Sequence, residues 1–279
     1  MEWWQALLLG AVEGITEYLP VSSTGHLVLT SRLLGLPNDA ANRAFSIGIQ
    51  SGAILAVLHL YLPRVRQIVV GFFARANRTM DDVVGRRLAW LLVAAFLPAA
   101  IVGLAAGDWI DEVLFGLWPI VIAWLVGGLV IFAVPRLRRP QPVGTGLEAL
   151  TIGQTIAIGL AQCLALAPGT SRSLVTIGAA LLLGLSGAAA VEFSLLLGVL
   201  TLAAATVYEA ISGGSAVIAS YGWTNVLVGF GSSFVFAWLA VRGLVAWLTT
   251  HGLLPFAVYR VLLAIVVAWA LHAGWVAAG

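Results

Sequence analysis

Six apolar stretches, roughly 44–62, 87–106, 117–134, 188–210, 223–248 and 255–277, recur from one end of this 279-residue chain to the other. Each is close to the roughly 20 residues that an α-helix needs to cross a bilayer. Within lipid every backbone N–H and C=O must be satisfied inside the segment, so these stretches predict helices. Only 9% of residues are charged, against about 25% in a soluble domain. The expectation is an all-α integral membrane protein. The segment after Met1 carries Glu2 and no basic run, so no cleavable leader is expected.

Arginine fixes the expected orientation. The 14 basic residues, all arginine, face 12 acids. Arg64, Arg66, Arg75, Arg78, Arg86 and Arg87 lie between the first two spans, and Arg136, Arg138 and Arg139 follow the third. Asp108, Asp111 and Glu112 occupy the next connection, and 211–222 reads as a Gly/Ser-rich loop. The positive-inside rule places the arginine connections in the cytoplasm and both termini outside. Arginines beside apolar runs give no reason to expect nucleic acid. Trp109, Trp118, Trp223, Trp247 and Trp275 near span ends suit an interfacial belt. The single cysteine, Cys163, excludes an intrachain disulfide and reads as a small buried residue. His59, His251 and His272 have no partners nearby in sequence and read as structural.

Residues 2–36 and 147–186 do not read as spans. Each is a pair of short apolar helical patterns broken in the middle, at Pro20–His26 and at Pro168–Ser173. Non-helical backbone at membrane depth is tolerated only where protein or a water-filled cavity surrounds it, so both are expected to be re-entrant hairpins. They are also related. Gly14-Ile-Thr-Glu17 parallels Gly159-Leu-Ala-Gln162, a shift of 145, and Leu34-Gly-Leu36 parallels Leu183-Gly-Leu185, a shift of 149. Each half, 1–140 and 141–279, then holds one hairpin and three spans. An odd span number inverts the second copy, so the two tips can meet near the midplane.

The first tip offers Glu13, Glu17, Ser22, Ser23, Thr24 and His26; the second offers Gln162, Thr170, Ser171, Arg172 and Ser173. A carboxylate near the bilayer centre costs about 2.5–3.5 kcal/mol on insertion scales, and nothing about spanning requires two. Helix starts after each break supply unpaired N–H groups for an anion, and arginine's planar fork suits phosphate. Two glutamates would hold a divalent cation, Mg²⁺ first and Ca²⁺ second, beside such an anion. Ser23 or His26 would supply a nucleophile or proton-transfer group, His26 reaching the same cavity because it follows Ser23 by one turn. Taken singly these residues have plainer uses: a proton relay for the glutamates, backbone satisfaction for the hydroxyls, a structural partner of Glu17 for Arg172. Their conjunction favours chemistry.

Glu13-Gly-Ile-Thr-Glu17-Tyr-Leu-Pro-Val-Ser-Ser-Thr-Gly-His26 and Pro168-Gly-Thr-Ser-Arg-Ser173 resemble the two signatures of the undecaprenyl pyrophosphate phosphatase family, the type linked to bacitracin resistance. The segments Ile49–Val57, Glu192-Phe-Ser194 and Pro255–Arg260 are similar too. The resemblance implies a bacterial inner-membrane enzyme that hydrolyses the C55 isoprenoid pyrophosphate on the outer side, recycling the lipid carrier of cell-wall synthesis. It implies metal binding by Glu13 and Glu17, nucleophile or acid–base roles for Ser23 or His26, and a pyrophosphate clamp at Arg172. Ser22, Thr24, Gly25, Gly169, Thr170, Ser171 and Ser173 would line the substrate. The expected partners are that lipid and the bilayer, with a homodimer left open. Leu174, Ser46, Gly187 and Leu200 depart from residues common in the family. A transporter or flippase for phosphorylated polyprenyl lipid or another anion is the competing reading, since inverted repeats with broken helices are also transporter architecture. A second membrane phosphatase superfamily is set aside, because its further histidine and aspartate are absent from 174–187.

Overall fold

The computed structural model describes residues 1–37, 39–74, 79–137, 144–212, 214–248 and 252–276. Arg75, Arg78, Arg138, Arg139 and His251 lie outside the described residues, as do the side chains of Asp111 and Arg136. Among the described residues there is no strand, and six helices are long and apolar enough to span. These are α3 (Ala40–Leu60), α5 (Met80–Leu114), α6 (Leu117–Leu137), α9 (Gly187–Ser212), α10 (Gly214–Leu248) and α11 (Leu254–His272). Their outward faces carry Leu104, Ile122, Leu227 and Ile265, all exposed. In a bilayer such faces meet acyl chains rather than water, so their exposure costs nothing.

The two remaining apolar segments are helix pairs broken in the middle. α1 (Trp3–Thr16) is followed by a non-helical stretch and α2 (Ser23–Leu33). α7 (Ile152–Gln162) passes through a 3₁₀ turn, Cys163–Leu166, into a second break and then α8 (Arg172–Leu182). α1 packs on α10 and α3, while α7 packs on α5. At Gly14 an added Cβ would lie 2.5 Å from the Ser233 carbonyl, and at Gly159 it would lie 2.5 Å from that of Ala95. Both hairpins therefore sit backbone-to-backbone against a span of the other half. α3 joins α9 and α10, and α6 joins α11.

Several expectations need correction. The first arginine connection contains α4 (Leu62–Phe73), a helix whose Pro63 starts its first turn. Arg64 on it pairs with Glu192 (2.6 Å) and Glu148 (3.2 Å). The acids Asp108 and Glu112 lie within α5, not in a loop, because a 35-residue helix of about 1.5 Å per residue outruns the hydrocarbon. Most of 211–222 is likewise helical, interrupted at Gly222 with φ 72°. Cys163 is half-buried, since it opens the 3₁₀ turn where α7 ends. His59 and His272 are exposed in the last turns of α3 and α11. The five belt tryptophans are exposed, but Trp124 is fully buried and donates to the Val21 carbonyl (3.0 Å).

Candidate active site

Each break resumes as a helix through one unusual residue. Ser22 and Ser171 have φ of 72° and 77°, and no other non-glycine among the described residues has positive φ. Such a conformation costs on the order of 1–3 kcal/mol and persists only where the surroundings enforce it. Here each serine is the N-cap: Ser22 Oγ accepts from Gly25 N (3.4 Å) and Ser171 Oγ from Leu174 N (3.2 Å). The sharp turn brings the first residues of α2 and α8 to one cavity of about 200 Å³. Its wall holds Glu17, Ser22, Ser23 and Thr24 from the first tip, and Gly169, Ser171 and Arg172 from the second.

Glu17 is the hinge of this wall. Ser23 Oγ donates to its Oε2 at 2.5 Å, and Arg172 Nη2 donates to its Oε1 at 3.1 Å. Arg172 Nη1 also donates to the Ser194 carbonyl (2.8 Å), and its guanidinium lies 5.6 Å from the Tyr18 ring centroid. Among the described residues the Arg172 Nε has no partner, so the cation keeps a donor for an incoming anion. Room for it comes from Gly198 on α9, where a Cβ would stand 2.3 Å from Nη1.

The tips are tied together behind the cavity. Ser173 Oγ donates to the Leu19 carbonyl (2.8 Å). Arg260, fully buried on α11, reaches Pro20 O (3.2 Å) on the first break and Gly169 O (2.9 Å) on the second. It also takes Ala123 O (2.8 Å) and Trp124 O (3.3 Å). Four carbonyl dipoles replace the water this cation has lost.

His26 is not brought to the cavity, contrary to the expectation from its spacing. Its Nδ1 donates to the Ser22 carbonyl (2.6 Å), which leaves Nε2 to accept from the Tyr259 hydroxyl (2.7 Å). The ring stacks on Tyr259 at 5.7 Å and 8°. A turn of spacing fixes the helix face, but α11 supplies the partner. Gly25 faces Trp124 instead of the cavity, and Thr170 and Ser173 stand outside its wall.

Glu13 also stands behind the wall. It is 0% exposed, and among the described residues no donor reaches either carboxylate oxygen. Both amide atoms of Gln162, which lines the cavity from α7, are unpartnered too. A buried carboxylate without donors requires a proton or a cation. Glu13 with Glu17 one turn away therefore fits a divalent ion. No cluster of three His, Cys, Asp or Glu exists among the described residues, so such an ion would draw its other oxygens from water and substrate phosphate, a usual Mg²⁺ arrangement.

Residues 6–266 match the family described as Bacitracin resistance protein BacA. The chain belongs to that family. It is 43% identical over 272 residues to the undecaprenyl-diphosphatase of Sorangium cellulosum, covering 96% of this chain and 86% of the relative. It is 41% identical to undecaprenyl-diphosphatase 3 of Acinetobacter baylyi, covering 96% and 97%. It is 38% identical to the undecaprenyl-diphosphatase of Deinococcus deserti, covering 96% and 94%.

Within this family member the departures sit off the wall of the inner cavity. Leu174 is buried and donates its N–H to the Ser171 cap. Ser46 donates to the Asn42 carbonyl (2.9 Å), Gly187 opens α9, and Leu200 packs against the core. Sequence reasoning gave no site role to Arg260, Gln50 or Thr201. An arginine inside α11 was the available signal, since intramembrane ionisable residues mark functional positions by default. Gln50 and Thr201, which line the cavity, carried no comparable signal, because single polar residues in spans are common helix–helix contacts.

Proposed function

We propose that this chain hydrolyses undecaprenyl pyrophosphate to undecaprenyl phosphate and inorganic phosphate, recycling a cell-wall lipid carrier in a bacterial membrane. Family membership and the names of its relatives support the activity. The observation that carries the mechanism is the Glu17 carboxylate held by Ser23 on one side and Arg172 on the other. A serine hydroxyl is a weak nucleophile unless a base adjoins it, and Glu17 is that base. Ser23 Oγ attacks the terminal phosphorus while its proton passes to Glu17. The bond from that phosphorus to the bridging oxygen breaks, and Glu17 returns the proton to the departing undecaprenyl phosphate. Water then attacks the phosphoserine, giving its proton through Glu17 to Ser23 Oγ and releasing inorganic phosphate. Arg172 and the starts of α2 and α8 bind the charge that develops on the phosphoryl oxygens. Glu13 with Glu17 would hold Mg²⁺, or Ca²⁺, which when bound neutralises phosphate charge. Ser22, Thr24, Gly169 and Ser171 line the substrate. Gly25, Thr170, Ser173 and His26 act from behind, His26 by holding the Ser22 carbonyl and so the turn that presents Ser23.

Residues 1–140 and 141–279 act as inverted repeats within one membrane domain. The matched left-handed serine caps and the exchanged packing of α1 and α7 support this. The inner cavity shares Thr24, Gln50 and Pro168 with a larger one of about 420 Å³ that is also lined by Ala40, Phe115 and Glu209. Ala40 starts α3 and Phe115 follows α5, at the ends opposite Arg64, Arg66, Arg86 and Arg87. By the positive-inside rule the mouth therefore faces the periplasm, with both termini external. Purified protein is expected to release phosphate from a C55 or C15 pyrophosphate and to lose that activity with a chelator. Protein that binds the lipid and releases no phosphate would favour a passage function instead.

A further inference from the structure

The outer cavity contains more positive charge than access alone requires. Arg32, in the last turn of α2, and Arg43, in the first turns of α3, both line it. Both are half-buried, and among the described residues neither guanidinium has an ion pair or a side-chain hydrogen bond. Asp39, the nearest acid in sequence, is occupied in capping α3 through Asn42 N (2.8 Å). Glu209 lines the same cavity and already has a partner. Two cations thus face one acid.

Two buried polar atoms beside them are unanswered. Ser31 Oγ and Asn42 Oδ1 belong to residues only 5% and 6% exposed, and among the described residues neither atom has a hydrogen-bond partner. Ser31 and Asn42 line the cavity next to Arg32 and Arg43. Buried polar groups are ordinarily satisfied, and unsatisfied ones point to a missing ligand or water. Two forked donors, a hydroxyl and an amide suit a tetrahedral oxyanion that carries acceptor oxygens and a protonated one. Which end of the Asn42 amide points inward is an assignment that such an anion would itself decide.

We propose that Ser31, Arg32, Asn42 and Arg43 form a second phosphate-binding site at the mouth, separate from the Ser23–Glu17–Arg172 site. The site takes a phosphate oxyanion from one of two sources: inorganic phosphate leaving the inner cavity, or the pyrophosphate head of a lipid approaching it. Its consequence for turnover rests on the phosphatase reading, but its existence does not.

Two measurements test this. In the first, inorganic phosphate inhibits hydrolysis by the wild type and by the Arg32→Gln/Arg43→Gln double variant, with turnover at saturating lipid as the control for folding. Loss of charge-assisted hydrogen bonds should weaken phosphate inhibition about tenfold or more. If the source is the leaving product, KM for the lipid stays constant; if it is the approaching head group, KM rises by a similar factor. Arg32→Lys/Arg43→Lys should restore part of the effect, because charge survives without the fork. In the second, radiolabelled inorganic phosphate is bound to the Arg172→Ala chain, which reads the mouth without the inner clamp. Binding that disappears when Arg32→Gln and Arg43→Gln are added supports the site even if hydrolysis itself were absent. Unchanged inhibition and unchanged KM in the double variant overturn the proposal, as does undiminished phosphate binding in the triple variant.

Discussion

Gly198→Ala is expected to displace the Arg172 guanidinium while leaving every residue proposed to take part in the chemistry unsubstituted. The new Cβ would lie 2.3 Å from Arg172 Nη1, 2.5 Å from Cζ and 2.6 Å from Nη2, all closer than real carbon contacts allow. The obstructed atoms are the far end of a flexible side chain, so the arginine yields rather than α9. Retreat breaks the bonds to Ser194 O (2.8 Å) and Glu17 (3.1 Å) together. A hydrogen bond to a charged group is worth about 1.5–3 kcal/mol, and the clamp acts mainly on charge developing in the transition state. Losing one charge-assisted bond from Arg172 to the phosphoryl group in the transition state predicts a fall of about 10- to 10²-fold in kcat/KM. The fold should not suffer, since alanine is favoured over glycine in a helix by up to about 1 kcal/mol. The assay is phosphate release from a C15 pyrophosphate in detergent, paired with a thermal unfolding curve. Gly231→Ala is the control, because nothing lies within 4 Å of that position. Activity of Gly198→Ala within about threefold of the Gly231→Ala control, with both folded, would refute the role given to Arg172.

Ser23→Ala and Glu17→Gln should each lower turnover by at least about 10²-fold, and wild-type protein quenched during turnover should carry phosphate on Ser23; normal hydrolysis by either variant removes the nucleophile–base pair. Arg260→Met should insert and fold but lower turnover about 10²-fold, because loosening both breaks misplaces Ser23 against Arg172; a variant with native kinetics shows that the bridge is dispensable. Glu13→Gln should raise the Mg²⁺ concentration needed for half-maximal activity while membrane yield holds or improves, since a buried carboxylate is lost; an unchanged Mg²⁺ titration excludes Glu13 from ion binding.

What the sequence disclosed and what it concealed divide along physical lines. The six spans were legible because bilayer thickness imposes a length, and the spans found, such as Leu254–His272 and Gly187–Ile211, differ from the apolar runs mainly at their ends. Those ends moved because a helix does not stop where lipid stops: α5 continues through Asp108 and Glu112. Both breaks were legible from Pro20 and Pro168 among Gly, Ser and Thr. α4 was concealed because its arginines look like loop composition, although Arg64 is anchored on Glu192. Side-chain direction at the tips was not legible at all. Spacing put Glu13, Glu17, Ser23 and His26 near one another, yet only Glu17 and Ser23 reach the cavity. The deciding contact for His26 is Tyr259, 233 residues away, and local spacing cannot report that.

Arg172 and Arg260 show how one fold can use the same side chain in opposite ways. Bringing a cation into a low-dielectric interior is costly unless its donors are answered. Arg260 is answered by four carbonyls drawn from both breaks and α6. A guanidinium so occupied has little left for substrate, and its fork geometry instead fixes the separation of Pro20 and Gly169. Arg172 is answered by one carboxylate and one carbonyl, with Nε unpartnered. It keeps a donor for a phosphoryl oxygen, and under the proposed mechanism an anion arriving there would also perturb its ion pair with Glu17, the proposed base beside Ser23. Two of the four carbonyls that hold Arg260, those of Pro20 and Gly169, come from the breaks that create the site. Re-entrant backbone in a membrane leaves carbonyls without helical partners, and a buried cation leaves donors without water. Each deficit answers the other, so the break and the buried arginine stabilise one another.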